Sequence, residues 1–130
     1  MERIINYNNG GIHIKIERPG IYAIGTDSAQ GKSFMCSLIS TMDPEGISVI
    51  TYNKDTSETI RSIRKFAESS DQLLIIDRFN MIICDEVIDT IKQITDKYIV
   101  LDYKDVLYDT KLDSWPISLL WSKEGFCLYA

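Results

Sequence analysis

Apolar positions recur along this chain in two rhythms, and the switch between them marks out the elements. Residues 4–7 and 12–17 are short β-runs, and in the second isoleucines alternate with polar residues, the pattern of a half-buried strand. Between them Asn8-Asn9-Gly10-Gly11 supplies the Asn-Gly and Gly-Gly steps that accept the positive φ of a tight turn, so a hairpin is predicted. Arg18-Pro19-Gly20 turns the chain into an apolar strand over 21–24, and a buried helix is expected over 32–41. After the turn Asp43-Pro44-Glu45-Gly46 comes a strand over 47–52. Asp55 or Thr56 then serves as N-cap for a helix along which Ile60, Ile63, Arg64 and Ala67 continue at helical spacing. Residues 73–77 form a continuous apolar run ending in aspartate, the mark of a parallel strand covered on both faces. Val87, Ile88, Ile91 and Ile94 share one helical face and lead into a strand over 98–102. Residues 115–121 and 126–129, joined through Lys123-Glu124-Gly125, predict a terminal hairpin.

This order predicts one α/β domain over residues 1–130: a three-layer arrangement with a mainly parallel sheet of about five strands and β-hairpins at both ends. A net charge of −5 gives no general attraction for nucleic acid. No apolar run approaches the length of a membrane span, and a cytoplasmic location is expected. Cys36, Cys84 and Cys127 lie far apart among apolar residues and read as buried thiols. His13, the one histidine, falls on the polar side of its strand. Trp115, Trp121 and Phe126 are either core residues or an apolar patch for a partner.

The chemistry concentrates where the strand over 21–24 breaks into Gly25-Thr26-Asp27-Ser28-Ala29-Gln30-Gly31-Lys32-Ser33. A buried strand, a loop of small residues and a helix start together present backbone N–H groups and a positive helix end to a phosphate. In that geometry Lys32 reaches the β- and γ-phosphates, and the Ser33 hydroxyl ligates Mg²⁺. Counted back from Gly31, the first position of the phosphate-loop pattern holds Thr26, with Gly25 one residue earlier. Either Thr26 takes that position or the loop is one residue longer. The second motif is Asp77, whose carboxylate should emerge at the carboxyl edge of the sheet and hold the same metal. The site residues expected from sequence are therefore Lys32 and Asp77 for catalysis, Gly25 through Ser33 for the nucleotide, and Ser33 and Asp77 for Mg²⁺.

With these two motifs the chain resembles a compact P-loop NTPase, Gly25–Ser33 standing as Walker A and the run ending at Asp77 as Walker B. The order of elements is similar to the additional-strand branch that includes AAA-, ABC- and RecA-type ATPases. The resemblance implies that the strand over 98–102 lies between the two Walker strands, with Asp102 or Tyr103 near the γ-phosphate. It implies ATP and Mg²⁺ as cofactors, hydrolysis that is slow or partner-dependent, and a protein partner or a second copy of the chain. An aromatic residue upstream of the loop stacks on adenine in ABC-type domains, and Tyr7 is the candidate here.

Where many members of this branch carry a water-polarising glutamate, this chain has Arg78, which cannot act as a base. Asp55, Asp85 and Glu86 are the nearby carboxylates, each also suited to capping a helix. A non-catalytic nucleotide switch is therefore an alternative reading. A second is a small phosphotransferase, because Asp77-Arg78-Phe79 resembles an element of thymidylate-type kinases, although the segment from Lys104 to Pro116 contains none of the arginines of their lids. Asn53-Lys54-Asp55 is misplaced for a guanine reader. Arg61 and Arg64 fit either arginine fingers or a solvated helix face.

Overall fold

A computed structural model describes residues 1–24, 31–102 and 112–130. Their strands form two sheets. The larger contains β3 (Gly20–Ile24), β4 (Ile47–Ile50), β5 (Leu73–Ile76), β6 (Tyr98–Asp102) and β7 (Trp115–Pro116), in the order β4-β5-β6-β3-β7. Every pairing within it is parallel. β6 thus lies between β3 and β5, the neighbours expected from sequence.

The chain leaves β3 through α1 (Lys32–Met42) for the far edge at β4. It then steps back through α2 (Thr56–Glu68) to β5 and through α3 (Asp85–Lys92) to β6. Right-handed crossovers running in opposite directions put their helices on opposite faces. The core divides accordingly. Met35, Cys36 and Ile39 of α1 pack with Tyr22, Ile24, Leu73, Ile75 and Val100. Ile63 and Phe66 of α2, with Val87, Ile88 and Ile91 of α3, pack with Leu74, Ile76, Ile99 and Leu101. Because side chains alternate along a strand, Asp77 follows Leu73 and Ile75 to the α1 face, and Asp102 follows Val100 there.

α1 shares its face with the second sheet, built from β1 (Glu2–Tyr7), β2 (Gly10–Lys15), β8 (Ser118–Ser122) and β9 (Gly125–Tyr129) in the order β1-β2-β9-β8. The two expected hairpins are present as antiparallel pairs. They join through a parallel β2–β9 pairing that sequence patterning did not suggest. At the junction Gly11 faces Gly125, whose φ is +126 and where a Cβ would lie 1.9 Å from the Gly11 carbonyl oxygen. Only glycine permits the two backbones to come so close.

Three expectations are corrected. The run 115–121 is not one strand: Trp115–Pro116 pairs with Tyr22 and Ala23 at the edge of the parallel sheet, where a proline is tolerated, and the chain then crosses to the second sheet as β8. The strand expected over 47–52 stops at Ile50, leaving Tyr52 exposed in the following turn. Of the thiols only Cys36 is fully buried; Cys84 and Cys127 are half-buried.

α2 begins as its sequence implies, the Asp55 side chain accepting from the Glu58 backbone N–H at 2.8 Å. Its other end is closed by the buried Lys97, whose ammonium donates to the carbonyls of Phe66 (2.9 Å) and Ser69 (2.7 Å) and lies 4.7 Å from the Phe66 ring centre. Lys97→Met keeps the stem but takes the charged donor from both carbonyls, leaving that of Phe66 to the Ser69 N–H and hydroxyl and that of Ser69 without its donor. We expect it to lower stability by about 2 kcal/mol, since hydrogen bonds from a charged donor are worth about 1.5–3 kcal/mol. Urea unfolding checks this: the midpoint should fall at unchanged slope, and an unchanged midpoint would show that the cap contributes nothing.

Candidate functional site

The carboxyl ends of β3, β5 and β6 meet the N-terminus of α1. Gly31 sits at that N-terminus in the left-handed conformation (φ 76) and brings no capping side chain, and the first turn of α1 contains no acid. The free N–H groups and aligned peptide dipoles of a helix start favour an anion. Lys32, the first residue of the helix, is only 2 % exposed. Its ammonium lies 3.3 Å from Oδ1 of Asp102, itself 2 % exposed. That oxygen makes no hydrogen bond, so the pair is held by charge alone, while Asp102 Oδ2 accepts from the Arg78 backbone N–H at 3.4 Å.

Ser33, one residue on, donates its hydroxyl to Asp77 Oδ1 at 3.4 Å across 44 residues of sequence. The Asp77 carboxyl is raised from the ordinary 3.8 to about 6. Burial is the largest cause, followed by the hydrogen bond and negative charge of Asp102; Arg78 and Ser33 pull in the opposite direction. Cys36, one helical turn beyond Lys32 and Ser33, also faces the two carboxyls, its thiol within 4.8 Å of both. Burial above all, and then the charges of Asp77 and Asp102, push that thiol well above its usual range, so it remains protonated.

Arg78 closes the group. Its backbone takes the left-handed conformation (φ 51), which a residue with a Cβ adopts at a cost of about 1 kcal/mol or more. The side chain lies with Cζ 4.4 Å from the Tyr52 ring centre, a cation–π contact, and Nε donates to Ser33 Oγ at 3.3 Å. The arginine therefore ties the segment after β4 to the start of α1. Sequence reasoning treated it mainly as a residue standing where a base was wanted. Its position directly after Asp77 was the available signal for a place in the site.

The structure thus brings together Gly31, Lys32, Ser33, Asp77 and Asp102, and adds Arg78, Tyr52 and Cys36. Gly25, Thr26, Asp27, Ser28, Ala29, Gln30 and Tyr103 lie outside the described residues. Asp55 is engaged as the α2 cap, and the hydrogen bond from Glu58 holds its carboxyl below the usual value. Asp85 and Glu86 are exposed in the first turn of α3, and Arg61 and Arg64 are exposed on α2. Tyr7 is half-buried against the core. A hollow of about 520 Å³ lies on the outer face of the second sheet beside Ile4, His13 and Cys127, yet the buried charges gather at α1.

Fold and site define an α/β domain whose all-parallel five-stranded sheet carries buried charges of both signs at its carboxyl edge. Comparison with protein-family models, with curated proteins and with solved structures gives no match to this chain. No described helix is long and apolar enough to cross a membrane.

Proposed function

We propose that this domain binds a nucleoside triphosphate, ATP for preference, together with Mg²⁺ at the N-terminus of α1, on a three-layer P-loop NTPase-like fold, and hydrolyses it slowly or only with a partner. The observation that carries the reading is the hydrogen bond from Ser33 to Asp77, which joins the two motifs, with Lys32 buried beside it. Ser33 Oγ and the Asp77 carboxylate are hard oxygen donors of the kind Mg²⁺ takes. The neutral Cys36 thiol does not compete with them. Lys32 and the α1 amides present positive charge to the phosphates, and the unbonded Oδ1 of Asp102 holds the lysine in place until they arrive.

Cleavage of the β–γ linkage requires attack by water at the γ-phosphorus and departure of the diphosphate with the bridging oxygen. Mg²⁺, when bound, supplies neutralisation of the charge on the β- and γ-phosphates. Lys32 and Arg78 add fixed positive charge there. Among the described residues Asp102 is the carboxylate beside Asp77 at this edge of the sheet, and it is engaged with Lys32 rather than set to receive a proton from water. Turnover below about 0.01 s⁻¹ is expected without a partner, the range of NTPases awaiting an activating group. Arg78 in place of a glutamate favours a second reading, a non-catalytic switch or interaction subunit.

Calorimetry with MgATP, with phosphate release followed in the same samples, tests both. Binding with slow release supports the hydrolase, binding without release supports the switch, and absence of binding overturns the nucleotide reading.

A further inference from the structure

Three aromatic rings stand beside the same helix start, and two of them are exposed against the usual preference of such side chains. Trp121 on β8 is 61 % exposed and Phe34, in the first turn of α1, is 58 % exposed. Between them Phe126 is buried, its ring centre 6.1 Å from that of Trp121 and 6.0 Å from that of Phe34. Trp121 and Phe126 are direct cross-strand partners, and their rings lie within 13° of parallel. Phe126 thus backs Trp121 and fixes its plane, leaving the rest of the indole open to solvent.

The cluster abuts Gly31. A Cβ built there would lie 3.1 Å from Phe126 Cε1 and 4.0 Å from Trp121 Cδ2. The β8–β9 hairpin therefore sets a braced aromatic wall against the residue that opens the phosphate site. A flat, apolar ligand group tethered to a phosphate at the α1 N-terminus would meet this wall first. Aromatic faces hold nucleobases by stacking with little regard to base identity.

We infer that Trp121, braced by Phe126 and flanked by Phe34, is the stacking surface for the base of the nucleotide bound at α1. The inference rests on the nucleotide reading above and assigns the base to a residue of the C-terminal hairpin instead of Tyr7. The larger π-face of a purine suits the indole better than a pyrimidine.

The test uses the full chain carrying Trp115→Phe, which leaves Trp121 as the one tryptophan. MgATP and Mg-tripolyphosphate are titrated separately, with tryptophan emission and calorimetry as readouts. ATP should quench Trp121 emission, whereas tripolyphosphate should bind and leave it nearly unchanged. Trp121→Ala should weaken ATP by about tenfold to a hundredfold, the range for loss of one base–aromatic stack, and leave tripolyphosphate affinity unaltered. Trp121→Phe, which retains a ring, should recover most of the loss and serves as the folding control.

Equal affinity of the alanine variant and its parent for ATP, or equal loss for both ligands, would overturn the inference while leaving the phosphate site standing. If neither ligand binds the parent, the phosphate site and the base wall fall together. ATP binding that quenches no emission would show that the aromatic wall faces something other than the base.

Discussion

Lys32→Ala is expected to weaken MgATP binding by about a hundredfold or more. Removing one member of a desolvated, hydrogen-bonded charge pair costs about 2–5 kcal/mol, and every 1.4 kcal/mol is tenfold. Lys32 would form such a pair with the phosphates of the bound nucleotide. It is 2 % exposed before any ligand arrives, so much of the desolvation of its ammonium is already met by the fold. Its counter-charge, Asp102, offers an oxygen that makes no hydrogen bond, so exchanging that contact for phosphate oxygens sacrifices charge attraction but no formed bond. The same substitution leaves Asp77 and Asp102 buried side by side, with Arg78 the cation whose charge still acts on Asp77 among the described residues. The free protein should therefore be less stable than wild type at neutral pH. Calorimetry on both proteins, with circular dichroism to verify folding, decides the matter. Undiminished affinity in a folded variant would remove Lys32 from the site and the phosphate-loop reading with it.

The parts of the site that were legible in sequence are those bound by local rules. Strands buried on both faces must be apolar throughout, so Leu73–Ile76 and the aspartate that follows stood out. A helix opening on Gly-Lys-Ser after an apolar strand announced α1, and the capping preference of aspartate placed the start of α2. The contributions that escaped come from pairings remote in sequence. Nothing in the periodicity of β2 or β9 specifies that they lie parallel and adjacent, yet that pairing carries Trp121 and Phe126 to Gly31. The expected role of the tryptophans was open between core and patch, and both are exposed because the strand breaks at Pro116 and its two halves join the edges of different sheets. Cys36 could have been found: it stands four residues after Lys32 and three after Ser33, spacings that share a helix face. Arg78 joins the site through Tyr52 and Ser33, contacts made by three segments that only the sheet order brings together.

Asp77→Asn should make the free protein more stable at neutral pH and a poorer binder of MgATP. The Asp77 carboxyl titrates near 6 in the folded protein against 3.8 ordinarily, so the folded state holds this proton more tightly than the unfolded chain. Between about pH 4 and pH 6 the folded state then carries more protons, and the contribution of Asp77 to stability is full at the acid end and declines as pH rises. At about 1.4 kcal/mol per pKa unit the decline approaches 3 kcal/mol by pH 7, and above about pH 6 it levels off. Asparagine, neutral at every pH and close in shape, removes that slope. Glu2 and Asp55, whose carboxyls are held below their usual values, act with the opposite sign at the acid end, so the quantity to follow is the difference between variant and wild type in urea unfolding from pH 4.5 to 8. This difference should grow in favour of the variant up to about pH 6 and then remain level. MgATP affinity should run the other way: in wild type it rises as Asp77 loses its proton near pH 6, and in the variant it is low throughout. A carboxylate kept at a cost to folding and needed only when metal and phosphate arrive is what a binding site demands and a purely structural capping aspartate does not. A stability difference that is flat with pH, or equal MgATP affinity in the two proteins, would assign Asp77 to the fold alone.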